Sequence, residues 1–235
     1  MQEYKQIDRT EGLPKFYAAI YGYMTLGLLM SAASAYLAIY SDTIISDMFY
    51  EFLYEVPYSV LILIGIELLL VVSLRFKENR IRSTAASTVL FILYSVVSGL
   101  TLGLITSLYT GESVMAAFIS TAAMFGVLSV IGVTVKKDLS PIGRGALSAL
   151  IGLIVTVFVN AFIFQSEGVS MMISIVTVII FSILTAYDTQ KIKYIYQHYA
   201  DSAGIGSLMI LCALELYLDF INIFLAVLRI FGKRN

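Results

Sequence analysis

Long apolar runs alternate with short polar connections along almost the whole chain. The runs cover residues 16–40, 58–76, 84–107, 112–135, 141–164, 170–195 and 208–231. Each is close to the roughly 20 residues that an α-helix needs to cross the hydrocarbon core of a bilayer. Because the connections are short, the pattern predicts one bundle of seven transmembrane helices, with residues 1–15 as an N-terminal tail and residues 16–235 as a single domain.

The composition places the chain among all-α integral membrane proteins. Hydrophobic residues make up 59% of the sequence and charged residues 13%, whereas soluble domains carry roughly 25% charged residues. The net charge of −1 provides no concentrated basic surface, which argues against nucleic acid as a partner. One cysteine, Cys212, and one histidine, His198, cannot supply the usual zinc ligand sets. We expect no organic cofactor.

Basic residues concentrate in alternate connections between the runs. They precede the first run and follow the second, fourth and sixth runs, while the connections in between carry only acids. By the positive-inside rule, the N-terminus is predicted to be cytoplasmic. The last run breaks the pattern, because Arg229, Lys233 and Arg234 lie at its far end. Either three basic residues are tolerated outside, or the segment enters the bilayer and returns; the sequence leaves both open.

Acidic residues within apolar runs are functional candidates, because a carboxylate in lipid is costly. The candidates are Glu67, Asp188, Glu215 and Asp219. In the last run, polar residues recur at steps of three and four, so they share one stripe of a helix; they are Cys212, Glu215, Asp219, Asn222 and Arg229. This stripe is expected to face other helices or a wet cavity, with the last helix near the centre of the bundle. The alternative is a buried structural network in which Asp219, Asn222 and a neighbouring helix satisfy one another's hydrogen bonds.

Asp188 and Asp219 are predicted to lie at the same depth. The connection between the last two runs is centred near residue 203, and each aspartate is roughly 15 residues, or about 20 Å, from that centre in an antiparallel helical hairpin. Two close carboxyl groups at low dielectric cannot both stay ionised, so they would share one proton and act as a proton sensor.

An arginine at the mouth of such a site could hold the deprotonated pair. Arg75 is the first candidate, ahead of Arg80 and Arg82, and a purely topological role explains each of the three equally well. Glu67 is either a protonated acid bonded to a neighbouring helix or part of an ion path. Gly99 and Gly103 have the spacing of small residues at a close helix contact.

Several motifs resemble one family of membrane proteins. Residues 213–232, which begin Ala-Leu-Glu-Leu-Tyr-Leu-Asp-Phe-Ile-Asn, resemble the last-helix signature of the Bax inhibitor-one family, also called the transmembrane Bax inhibitor motif proteins, with bacterial YetJ-like members nearest. Residues 187–190 resemble the family's sixth-helix motif, and residues 135–139 resemble the basic loop after its fourth helix. The resemblance implies a seven-helix bundle with the last helix central.

The same resemblance implies a pH-sensitive calcium leak in the plasma (inner) membrane of a bacterium. The resemblance implies that Asp188 and Asp219 form the pH sensor. It also implies that an arginine near the end of the second helix latches this pair, and that Glu67 corresponds to a glutamate of the family's second helix. Glu215 departs from the family pattern and adds one negative charge to the stripe.

The main hypothesis is therefore a passive cation pathway gated by protonation of the aspartate pair. Hard divalent cations prefer oxygen ligands, so Asp188, Asp219 and Glu215 are candidate calcium ligands, and Glu67 and Asn222 complete the predicted ion path. The expected partners are the lipid bilayer, calcium ions and protons. The same oxygens could instead form a proton relay.

Two other functions compete with the leak. An intramembrane aspartyl protease also pairs two aspartates on neighbouring helices, but its Gly-x-Gly-Asp motif is here Tyr217-Leu218-Asp219 and no proline follows Pro141. We therefore expect no enzyme. The third candidate is a non-conducting regulator that binds other membrane proteins, whose identity the sequence does not give.

Overall fold

The computed structural model describes residues 12–75 and 83–235, and nearly all of them are helical. In chain order the helices are α1 (Leu13–Ala35, continued by a π-helical turn at Tyr36–Tyr40), α2 (Ile44–Glu55), α3 (Ser59–Arg75), α4 (Thr84–Thr106), α5 (Gly111–Thr134), α6 (Ser140–Val159, continued by a π-helical turn at Asn160–Phe164), α7 (Glu167–Tyr199) and α8 (Ile205–Phe231). By length and composition six of these segments can cross a membrane, and α2 with α3 gives a seventh if the bent pair is one span. The predicted all-α membrane bundle is confirmed.

Helix α2 is a feature that the sequence pattern did not predict. The segment was expected to be a connecting loop because it carries the acids Asp47, Glu51 and Glu55. It forms an amphipathic helix that meets α3 at an angle of 108°. Phe49 on its inner face packs with Ala38 and Leu63. The bend therefore turns α2 away from the direction of the spanning helix that follows it.

Helix α8 lies at the centre of the bundle, as predicted. It packs against α1, α4, α5 and α7, and it is the most buried of the candidate spans. Tyr217 is completely buried, and its hydroxyl lies 2.7 Å from the hydroxyl of Ser31 on α1. The central helix is thus fixed to α1 by a hydrogen bond as well as by apolar contacts.

The close contact predicted for Gly99 and Gly103 is present between α4 and α1. A Cβ atom on Gly99 would overlap the Ser34 hydroxyl and the Ser31 backbone, and one on Gly103 would lie 2.8 Å from Ile39. The Ser34 hydroxyl donates to the Val96 carbonyl at 2.9 Å. The small residues therefore let two helix backbones approach closely enough for hydrogen bonds between them.

The C-terminus lies at the opposite end of the bundle from the start of α8, so α8 makes a full crossing. The Thr110 amide donates to the Lys233 carbonyl at 3.0 Å, and the Asn235 amide donates to the Leu108 carbonyl at 3.1 Å. Tyr109 and Arg234 form a short antiparallel bridge. The basic residues at the chain's end consequently lie beside the α4–α5 connection, and the alternative of a re-entrant last segment is wrong.

Candidate functional site

The predicted polar residues meet in one cavity of about 490 Å³. It lies between α3 and α6, and α7 and α8 form its floor. Its polar lining includes Glu67, Arg75, Asp188, Glu215, Asp219 and Asn222. Arg80 and Arg82, the other two latch candidates, fall outside the described residues. Side chains that are far apart in the sequence thus face one space inside the bundle.

Asp219 is the most deeply buried carboxyl group of the site, with 3% of the residue exposed. Its Oδ2 atom has no hydrogen-bond partner in the structure. The neighbouring Thr185 hydroxyl donates to the Phe181 carbonyl at 2.7 Å. Asp188 is half-buried and lines the same cavity, where it lies within electrostatic reach of Asp219. The structure therefore brings together the two aspartates that the hairpin geometry placed at one depth.

Lys191 and Glu215 form an ion pair at the end of the cavity. The Lys191 ammonium group donates to both carboxylate oxygens of Glu215, each at 2.9 Å. The Lys191 side chain is 32% exposed and that of Glu215 is 18% exposed. This pair lies within the electrostatic reach of both aspartates. Glu215 thus has its own counter-ion, which sequence reasoning did not foresee.

Arg75 lies at the same end of the cavity and is the latch candidate that the structure describes. Its Nη2 atom is 3.9 Å from Oε1 of Glu215, and its side chain is 52% exposed. It also interacts electrostatically with Asp188. The carboxylate that Arg75 contacts directly is that of Glu215. Any stabilisation of the deprotonated aspartate pair by Arg75 is therefore electrostatic and is shared with Glu215 and Lys191.

The structure does not arrange the candidate calcium ligands as a preformed site. Within residues 12–75 and 83–235, no group of three His, Cys, Asp or Glu side chains is placed to hold a metal ion. Both Glu215 oxygens are bound to Lys191. Coordination by Asp188, Asp219 and Glu215 together therefore requires another arrangement of these side chains.

Glu67 and Asn222 lie deeper along the cavity wall. The Thr101 hydroxyl on α4 donates to Glu67 on α3 at 2.5 Å, so Glu67 both joins two helices and lines the cavity. The Asn222 side chain donates to the Leu218 carbonyl of its own helix at 2.7 Å. Asn222 is thus bonded to its own helix, while Oδ2 of Asp219 has no hydrogen-bond partner in the part of the chain that the structure describes.

Gln190, next to Asp188 on α7, fixes the α5–α6 connection. Its side-chain amide donates to the carbonyls of Val135 (3.2 Å) and Lys137 (2.9 Å), and its oxygen accepts from the Leu139 amide (2.8 Å). In the same connection, hydrogen bonds from the Ser140 hydroxyl and amide lower the pKa of the exposed Asp138 carboxyl. The connection is thereby coupled to the part of α7 that carries the aspartate.

Lys191 was missed although it lies within the predicted run 170–195. Together with Lys193 it was interpreted only as one of the basic residues that set the topology, and α7 continues beyond both to Tyr199. A signal was available, because Lys191 and Glu215 are equally distant in sequence from residue 203, as the aspartates nearly are. Residues at equal distances from the centre of a helical hairpin lie at the same depth, so the sequence positions of Lys191 and Glu215 predict that these two side chains pair.

Removal of the Lys191 charge is expected to lower the stability of the bundle. Lys191→Met leaves Glu215 with Arg75, at 3.9 Å, as its only counter-ion in the described part of the chain, and for this partly exposed pair we expect a loss of about 1–3 kcal/mol in the free energy of unfolding. Adding Glu215→Gln is expected to restore most of that loss, which a double-mutant cycle measures in detergent micelles. Lys193→Met, the same change at an exposed position of α7, is the matched control. Additive effects of the two changes would contradict the pairing.

The fold and the site define an all-α integral membrane protein whose last two helices carry carboxyl groups that line one cavity. Residues 13–235 match the family described as "Inhibitor of apoptosis-promoting Bax1". The chain belongs to this Bax inhibitor-1 family.

Relatives align with nearly the full length of the chain. The "Inner membrane protein YbhL" of Escherichia coli (strain K12) is 40% identical over 226 residues, which are 95% of this chain and 94% of the relative. A membrane protein of Streptococcus pyogenes serotype M1 is 38% identical over 95% of both chains. A protein of Borreliella burgdorferi is 39% identical over 94% of this chain and 93% of the relative. Together with the apolar helices, these similarities support an integral inner-membrane location.

Proposed function

We propose that this chain is a pH-sensitive calcium leak, through which cations cross the membrane passively. The observation that carries the proposal is the cavity that holds Asp188, Glu215 and Asp219 inside a membrane bundle. Ionisable groups in the membrane interior are costly and mark ion or proton pathways. Carboxylate oxygens are the ligands that calcium prefers.

The cavity covers only part of the distance across the bundle, and in this proposal the arrangement corresponds to a closed path. On α8 its lining runs from Glu215 to Asn222, about 10 Å of a helix that is about 40 Å long. Next to this stretch, Tyr217 of α8 is hydrogen-bonded to Ser31 of α1 and packs against the rings of Phe91 and Tyr94 of α4. Conduction therefore requires a movement of α8 relative to these two helices.

The groups around the aspartates determine the direction of the pH response. Lys191 on α7, Glu215 and Asp219 on α8 and Arg75 on α3 face Asp188 or lie within its electrostatic reach. A deprotonated aspartate adds a negative charge that holds the cations of Lys191 and Arg75 at the end of the cavity. Protonation removes this charge and loosens both cations, so calcium flux rises as the pH falls.

Calcium entry into proteoliposomes with a trapped fluorescent indicator tests the proposal. We expect entry above that of protein-free liposomes, with a rate that increases as the pH is lowered from about 8 to about 5, because the aspartate pair gains a proton as a unit. Equal rates with and without protein at every pH would rule out the leak and favour the non-conducting regulator. The proposal assigns no catalytic residue.

A further inference from the structure

A second, largely apolar space lies on the other face of the central helix. This crevice has a volume of about 720 Å³ and lies between α1 and α5. Its floor is formed by Phe220, Ile221 and Phe224 of α8, and Phe118 of α5 packs on two of these rings, at 5.5 Å from Phe220 and 6.4 Å from Phe224. In helical rotation these floor positions are opposite to Glu215 and the other α8 residues of the candidate site. The crevice is therefore separate from the proposed ion path.

Two cations lie where this crevice meets the end of the bundle. Asn235 and Tyr109 line the crevice, and the guanidinium group of Arg234 is 5.8 Å from the centre of the Tyr109 ring. Lys233 and Arg234 are both exposed. Among the described residues, no carboxylate forms an ion pair with either side chain. Backbone hydrogen bonds to residues 108–110 hold this tail in place.

The position of these cations is unusual for a membrane protein. They lie beside the α4–α5 connection, on the side of the membrane where the other connections carry acids. The positive-inside rule disfavours basic residues there. The candidate ion path does not use them, because its cations, Lys191 and Arg75, lie at the other end of the bundle.

We propose that the crevice binds one acyl chain of an anionic phospholipid, whose phosphate lies against Lys233 and Arg234. The volume falls within the roughly 300–1,000 Å³ of small-molecule pockets, and the lining suits a hydrocarbon chain. An acyl chain gains no hydrophobic free energy by leaving bulk lipid, since lipid is equally apolar. Selectivity therefore comes from the headgroup charge, and each cation contributes about a five-fold preference for anionic over zwitterionic lipid.

The absence of tryptophan from the chain allows a direct test. Phe118→Trp places a single fluorescent reporter in the crevice, and Met115→Trp, also in its lining, is a second reporter in case the first disturbs packing. Ile151→Trp, on the exposed face of α6, is the control reporter. Each variant is reconstituted into phosphatidylcholine vesicles that contain small increasing fractions of phosphatidylglycerol with brominated acyl chains, which quench tryptophan on contact.

We expect either crevice reporter to be quenched at a phosphatidylglycerol fraction about twenty-five-fold lower than the control reporter requires, since each of the two cations contributes about five-fold. Adding Lys233→Gln and Arg234→Gln is expected to remove this difference. Lys136→Gln with Lys137→Gln removes the same charge at the other end of the bundle and is expected to leave it unchanged. Equal quenching of crevice and control reporters would overturn the proposal. So would a preference for the anionic lipid that persists without the two tail cations. This readout is independent of calcium flux.

Discussion

Replacement of Asp219 by asparagine is expected to abolish the pH dependence of calcium flux. Asparagine has the shape of a protonated aspartate and cannot release a proton, so the pair no longer changes charge as a unit. Without this negative charge, the electrostatic attraction that keeps Lys191 and Arg75 at the end of the cavity is weaker at every pH. The variant should therefore conduct at neutral pH as the wild type does in acid.

The flux ratio between about pH 5 and about pH 8 measures this effect. In the wild type it should be about tenfold or more, because the protonated fraction of a titrating group falls about tenfold for each pH unit above its midpoint. In Asp219→Asn it should be close to one. Asp47→Asn makes the same chemical change on α2, outside the cavity, and should retain the wild-type ratio. If Asp219→Asn keeps the wild-type dependence of calcium flux on pH, then Asp219 is not part of the pH sensor.

Gly99→Ala is expected to cause a large loss of stability although it adds only one methyl group. The added Cβ would overlap the Ser34 hydroxyl and the backbone of Ser31, and backbone cannot rotate away as a side chain does. Helix α1 must then move from α4, which weakens the hydrogen bonds from Ser31 to Ser95 (2.7 Å) and from Ser34 to Val96 (2.9 Å). We expect a decrease of about 2–3 kcal/mol in the free energy of unfolding.

Thermal unfolding in detergent compares this variant with Gly126→Ala on α5. A methyl group added at Gly126 would meet no atom of a neighbouring helix within 4 Å, so alanine there should be neutral or stabilising by up to about 1 kcal/mol through its better helix propensity. If both variants unfold at the same temperature, the close approach of α1 and α4 is not a determinant of stability.

Most of the fold could be predicted from the spacing of apolar residues, because lipid requires a long apolar run for every crossing. Helix α2 could not, since a short segment with Asp47, Glu51 and Glu55 resembles a loop in charge and is too short to span. The apolar residues of α2 indicate a helix only once their contacts are known, such as those of Phe49 with Ala38 and Leu63. The connection between α2 and α3, where Tyr58 has a φ of 61°, turns the chain by 108°.

The candidate site was predictable where helix geometry alone decides it. Antiparallel helices place residues at equal distances from their connection side by side, which brought Asp188 near Asp219. Lys191 was missed because the positive-inside rule assigns a basic residue at the end of a span to a loop.

The end of the bundle at which the C-terminus lies could not be predicted from the sequence. The length of α8 predicts a full crossing, whereas its terminal basic residues favour the cytoplasmic side. The hydrogen bond from the Thr110 amide to the Lys233 carbonyl places the C-terminus beside the α4–α5 connection.

The central claim is that Asp188 and Asp219 share a proton that controls the path. Infrared difference spectroscopy of the protein in membranes, recorded between alkaline and acidic pH, detects a buried carboxylic acid by its carbonyl stretching band. The account predicts a band that titrates over the same pH range as calcium flux and that Asp219→Asn removes. A titrating band that is unchanged in Asp219→Asn, or one whose midpoint differs from that of the flux, would contradict it.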